Sequence, residues 1–120
     1  MSMLTKKASG ECDETRSMSK GKVEIFNVGG QPVMRATFEP GWRWSECVKP
    51  IVKTEACQVH HRTYVISGRL AVRMEDGTTT EFGPGDFGEI PPGHDAWVVG
   101  KKPCVTLDFQ GAAQYAKPAT

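Results

Sequence analysis

His60, His61 and His94 are all the histidines of the chain. They sit at the edges of two blocks, ACQVHHRTYVISGRLAV and GPGDFGEIPPGHDAW, which turn residues bring toward each other. Imidazole is the side chain best suited to binding a transition metal or moving a proton near neutral pH, so this clustering points to a site. Against it stands the commoner fate of a His-His pair, one ring packed and the other solvated. Aromatic and cationic groups lie nearby in sequence. Trp42 and Trp44 alternate across Arg43, which puts both rings on one face of an extended segment, where they line a pocket or pack a core. Trp97 and Tyr64 add further aromatic surface, and Tyr64 and His60 are candidates to move a proton. Arg35, Arg43 and Arg62 suit a carboxylate ligand where they face inward and are solvated otherwise.

The elements that must position these residues read as strands. From Lys22 onward the chain is a series of short apolar runs, VEIFNV, PVMRATF, TYVISG, RLAVRME, TEFG, DFGEIP, AWVVG and CVTLDF, punctuated by Gly and Pro. Leu70, Val72 and Met74 alternate with Arg69, Arg73 and Glu75, as in a strand with one buried face. Asp76-Gly77 predicts a tight hairpin, and Gly83-Pro84-Gly85-Asp86 and Pro91-Pro92-Gly93 predict two further turns. No helical stripe of apolar residues is present. The spacing predicts an all-β sandwich or barrel. Residues 1–21 are polar and without apolar period, which predicts a flexible arm ahead of a barrel domain at 22–120.

Composition narrows the partners. The 120 residues suit one domain, and the formal net charge of +1 with interspersed signs gives no footprint for nucleic acid or a membrane surface. Cys12, Cys47, Cys57 and Cys104 show no CxxC spacing, the start has no apolar signal core, and no apolar run is long enough to span a bilayer. The expectation is a cytoplasmic protein with a small-molecule partner.

YVISGRLAVRMEDG followed by GPGDFGEIPPG resembles the central part of a cupin domain, over roughly residues 35–108. Gly68 closes the first signature block, and Gly85, Pro91 and Gly93 are in register with the second. The ligand positions depart from the family pattern. The glutamate slot holds His61, the two histidine slots of the first block hold Cys57 and Glu55, and the histidine slot of the second holds Ala96, with His94 two residues earlier. Residues two apart on a strand share a face, so Glu55, Cys57, His61 and His94 aim inward if the strands are regular. His60 points the other way unless a bulge re-aims it.

The resemblance implies a cupin-like β-barrel, the double-stranded β-helix or jelly roll, and a homodimer. It also implies a divalent transition metal, Zn²⁺ first with Fe, Ni or Mn as alternatives, held by Cys57, His61 and His94, with His60 and Glu55 as further candidates. The function expected is a small metal-binding cupin that binds or transforms a small organic ligand. Dioxygenase, isomerase, decarboxylase and hydrolase chemistry all stay open. The alternative is a ligand-binding or sensor barrel, without catalysis, that has lost its metal chemistry, which the displaced motif favours. A purely structural interaction protein is a third reading.

Overall fold

The structure, a computed structural model, describes residues 4–112 and 115. All eight apolar runs form strands: β2 (Gly21–Val28), β3 (Gln31–Phe38), β4 (His61–Ser67), β5 (Leu70–Met74), β6 (Thr79–Phe82), β7 (Phe87–Ile90), β8 (His94–Val98) and β9 (Cys104–Asp108). A further strand, β1 (Glu14–Met18), precedes them. The strands make two antiparallel sheets, one in the order β1-β2-β3-β9-β4-β7 and one in the order β6-β5-β8.

Period-two burial builds the core. Cys104, Thr106 and Asp108 of β9 point inward, as do His94, Ala96 and Val98 of β8, while the residues between them are half-buried. Val23, Ile25, Met34, Phe38, Val65 and Val72 fill the space between the sheets. In β5, Ala71 is buried along with Leu70 and Val72. That strand is central to its sheet and lies opposite Trp97 and Glu81 on its two sides, so its second face is covered as well.

The predicted turns form. Gly77 takes φ +94° between β5 and β6, and Asp76 accepts a hydrogen bond from the Thr78 N–H at 2.9 Å. Asp86 caps its own turn by accepting from the Gly83 N–H at 2.8 Å, and Gly93 takes φ +94° before β8.

Two features differ from expectation. The segment read as a flexible arm supplies β1, which pairs with β2 along its whole length. ETRSM carries no apolar alternation because it is an edge strand, held by backbone hydrogen bonds that no hydrophobic pattern reports. Upstream of it, Ser9 is bonded to Arg35. Two single helical turns, α1 (Trp44–Cys47) and α2 (Lys49–Val52), link β3 to β4. Four residues are too few to display an amphipathic stripe.

Candidate metal centre

Three elements converge on one end of the core. β4 opens at His61, and its alternation turns His61, Thr63 and Val65 inward. His94 opens β8. Cys57 belongs to neither strand, but a single antiparallel bridge fixes it beside His94. The Cys57 N–H donates to the His94 carbonyl at 2.8 Å, and the Gly93 N–H donates to the Cys57 carbonyl at 2.7 Å. All three side chains are buried, and their ligand atoms lie within 4.8 Å of one another.

Hydrogen bonds orient both rings. His94 Nδ1 lies 2.8 Å from the Pro91 carbonyl oxygen, which can only accept, so Nδ1 carries the proton and Nε2 keeps its lone pair. His61 Nδ1 is hydrogen-bonded to Asp108 Oδ2, leaving Nε2 to face Cys57 Sγ at 3.7 Å. Asp108 is 1% exposed, and its Oδ1 accepts from the N–H groups of Arg62, Gln110 and Gly111 at 3.2, 3.0 and 3.1 Å. Burial raises its pKa, but the hydrogen bond and charge of His61 together with the Gln110 and Gly111 N–H groups outweigh that and hold the carboxyl below its ordinary range. Gly111 leaves no room for a side chain, because a Cβ there would lie 2.8 Å from Asp108 Oδ2 and 3.0 Å from His61 Nδ1. Burial pushes His94 down to about 4, and the neighbouring His61 adds to this, so its ring is neutral at physiological pH. Burial likewise pushes the Cys57 thiol up to about 11.

The donor set fits a zinc-like ion. In a tetrahedral site a thiolate sulfur and an imidazole nitrogen stand roughly 3.6 Å apart, given metal–ligand bonds of about 2.3 and 2.05 Å. The Cys57–His61 spacing of 3.7 Å is already close to that. Imidazoles that keep Nε2 for the metal while Nδ1 is held by an oxygen are the usual arrangement of metal-binding histidines.

Beside these residues lies a cavity of about 40 Å³, measured as the space open to the centre of a water molecule, with His61, His94, Asp108 and Tyr115 in its wall. A single water needs roughly 10–15 Å³ on that measure, so there is room for only a few non-hydrogen atoms. The rest of the lining is mostly apolar and includes Ala96, Trp42 and Trp44. The buried Trp42 indole N–H has no hydrogen-bond partner among the described residues.

The remaining sequence candidates lie elsewhere. His60 is half-exposed on the outer face, bonded to Glu89 and Gln110 at 3.2 Å each. It does not join the cluster because the irregularity in β4 falls between Val65 and Ser67 rather than at its start. Glu55 is 96% exposed in its side chain and pairs with Lys49. Residues 53–56 form no strand, so strand alternation does not carry Glu55 to the side of Cys57. Arg35, Arg43 and Arg62 pair with Glu24, Asp95 and Glu89 respectively, outside the cavity. Tyr64 packs on Phe87, and Trp97 lies beneath the Arg43 guanidinium. Both tryptophans of GWRWSE turn inward, with Arg43 extended between them and α1 beginning at Trp44.

Asp108, Gly111 and Tyr115 are site residues that sequence reasoning passed over. Asp108 had a signal, since it lies in phase with Cys104 and Thr106 on an alternating strand. Gly111 and Tyr115 had none, being placed by the turn that follows β9.

The architecture of these two sheets is that of the cupin superfamily. The chain is similar to the polyketide cyclase RemF from Streptomyces resistomycificus, with 16% identity over 88% of this chain and 78% of that one and a TM-score of 0.61. It is also similar to the oxalate decarboxylase of Lactobacillus farciminis solved as a formate complex, with 20% identity and a TM-score of 0.60 over 85% of this chain. The match spans 32% of that enzyme's length. A third likeness is to a protein of unknown function from Acidithiobacillus ferrooxidans, with 17% identity, 88% and 89% coverage and a TM-score of 0.59. At these identities the likeness defines the fold. No family model and no curated protein sequence matches the chain. No helix among the described residues is long and apolar enough to cross a membrane.

Proposed function

We propose that this chain is a small metal-binding cupin whose centre is Cys57, His61 and His94, and that it binds or transforms a small organic ligand at that centre. The observation carrying the reading is the buried convergence of three ligand residues in which both histidines have Nδ1 engaged by oxygen, so that Nε2 is left free, and His61 Nε2 faces Cys57 Sγ. Zn²⁺ is the first choice for one thiolate and two imidazoles, a three-residue set that leaves a fourth position open. An ion so held supplies Lewis acidity at that open position. The protein's own part is to fix the two tautomers through Asp108 and the Pro91 carbonyl, and to surround the centre with an apolar wall that limits ligand size. The dimer expected from the resemblance has a surface to support it, since Phe87 and Phe109 are 80% and 48% exposed and flank one groove.

Elemental analysis of protein purified without chelator tests the reading. Near-stoichiometric metal that is lost in a His61→Ala, His94→Ala double variant is expected. Metal-free protein whose melting temperature is unmoved by added Zn²⁺, Fe²⁺, Ni²⁺ or Mn²⁺ overturns it.

A second reading has its own observation. Cys57, His61 and Asp108 stand in the order nucleophile, base and orienter, with 3.7 Å between sulfur and ring. Burial works against it by pushing the thiol up to about 11, where a free thiol is inert. Rapid single alkylation of Cys57 in metal-free protein near neutral pH would favour this reading over the first.

A further inference from the structure

Asp108 and Cys57 set the charge of the centre. The buried Asp108 carboxyl accepts hydrogen bonds on both oxygens, from the N–H groups of Arg62, Gln110 and Gly111 on Oδ1 and from the His61 ring on Oδ2. A carboxyl group that only accepts is ionised. A cysteine that holds a metal does so as the thiolate, and a histidine as the neutral imidazole. The thiolate of Cys57 and the carboxylate of Asp108 together balance the charge of a divalent ion, so the loaded centre is neutral.

The cavity wall supplies no counter-charge. Met34, Leu70, Val72 and Ile90 give it an apolar surface, and Thr106 and Trp42 add only uncharged polar groups. Among the described residues that line it, none is a lysine or an arginine. Arg35, Arg43 and Arg62 are paired with carboxylates outside the cavity. Arg16 of β1 is engaged as well, with Nη1 donating to the carbonyls of Ala112 and Tyr115 at 2.8 and 2.6 Å and Nε to Glu14 at 2.7 Å.

An anion entering this space would leave the centre with a net negative charge in buried, apolar surroundings, where an uncompensated charge is costly. An uncharged molecule meets no such cost, and its carbon atoms gain contact with the wall. The volume of the cavity limits it to a few non-hydrogen atoms.

We propose that the centre takes a small uncharged molecule, one oxygen or nitrogen donor on a short apolar body as in the simple amides, alcohols and aldehydes, and that it discriminates against carboxylates. The proposal rests on the metal reading above and deepens it by naming the ligand class. It reverses the carboxylate ligand that the arginines suggest in the sequence, because those arginines lie outside the cavity.

Acetamide and acetate have nearly the same shape and differ in charge, so the pair isolates the effect. Divalent ions in water bind acetate more strongly than acetamide, and a preference for acetamide therefore comes from the protein. Full-length protein loaded with Co²⁺ is titrated with each near neutral pH while its visible bands are followed. Acetamide is expected to shift the bands at a concentration at least about tenfold lower than acetate, as one unscreened unit charge in a buried site requires. Cys57→His and Asp108→Asn each remove one negative charge, and in each the preference for acetamide is expected to fall about tenfold or more. The preference is a ratio measured on loaded protein, so weaker metal binding in a variant does not alter it. Parent bands that respond to acetate at an equal or lower concentration, or to neither compound, overturn the proposal and leave the metal reading standing. A preference for acetamide that persists undiminished in both variants overturns the charge argument. Absence of cobalt bands in the parent overturns the metal reading, and this proposal with it.

Discussion

His61 and Asp108 are hydrogen-bonded on a diagonal of the β4–β9 pair, two residues out of register, Thr63 being the residue directly opposite Asp108. Side chains so related point the same way from the sheet and are within reach of each other. The two are far apart in sequence, and what joins them is the insertion of β9 beside β4.

Asp108→Asn tests that relationship. Three backbone N–H groups require an oxygen at Oδ1, so the amide nitrogen of asparagine must face His61. Nδ1 then has to accept, and the proton moves to Nε2, where it points at Cys57. Metal affinity is expected to fall about 10- to 100-fold, the usual cost of losing such a partner. A competition titration against a chromophoric chelator measures it, and an affinity equal to the parent's would contradict the orientation argument.

The metal-free protein should lose stability in mild acid. His94 is held at about 4 in the folded state against an ordinary 6.5, so between those values the unfolded chain binds the extra proton. Stability therefore rises with pH through this window and falls as the pH drops from about 6.5 toward 4, by at most roughly 1.4 kcal/mol per unit. Urea titrations at pH 7, 6, 5 and 4.5 should show the decline, and it should flatten in His94→Gln. Asp108 contributes in the same direction at lower pH, since its depressed value stabilises the fold above the ordinary carboxylate range and loses that effect as the pH falls through the folded value.

Gly68→Ala is expected to be among the most damaging single changes. Gly68 takes φ +76° between β4 and β5, and a Cβ there would lie 2.2 Å from the Pro103 carbonyl oxygen and 2.6 Å from the Cys104 Cα. Both contacts are to backbone, so no rotamer relieves them. A loss of more than about 2 kcal/mol is expected from strain and displaced backbone together, read as a shift of the urea midpoint. Gly77→Ala, where nothing lies within 4 Å, is the comparison and should cost less.

Truncation separates the two parts of the N-terminal segment. Removing residues 1–12 sheds surface contacts such as Ser9 with Arg35. Removing residues 1–21 takes away β1 and Arg16 as well. The shorter deletion should move Tm by only a few degrees. The longer should lower it by more than about 10 °C, at roughly 4–8 °C per kcal/mol for domains of this size. Equal melting temperatures for the two would mean that β1 adds nothing.

The sheet fold was legible because its signals are local. Eight apolar runs, a DG hairpin and two Gly-Pro turns each act within a few residues, and each formed as read. The site was legible where strands carry it: His61 and His94 open β4 and β8, and the two-residue displacement from Ala96 keeps His94 on the inner face. Cys57 reached its place by a different route, a lone bridge to His94 rather than a strand, which is why Glu55 did not follow it inward. His60 faces outward because β4 is regular at its start. Tyr115 and Gly111 depend on a turn whose position follows from tertiary contacts with Asp108 and Arg16, and no local pattern encodes those. β1 was missed for the complementary reason, since an edge strand that pairs through its backbone needs no apolar code.

The placement of β9 sets an order of events during synthesis. It is the last strand of those described, yet it lies between β3 and β4 in the large sheet. A nascent chain that has exposed Cys57, His61 and His94 still lacks the strand joining the two halves of that sheet, and with it the partner of His61. Chains emerge N-terminal end first, so the three ligands leave the ribosome before the geometry that aligns them exists. Metal acquired earlier would meet thiol and imidazole on a flexible chain, with no defined coordination. Loading of a correct centre therefore follows insertion of β9, and a pulse of metal given to stalled chains ending before residue 104 should find no ordered site.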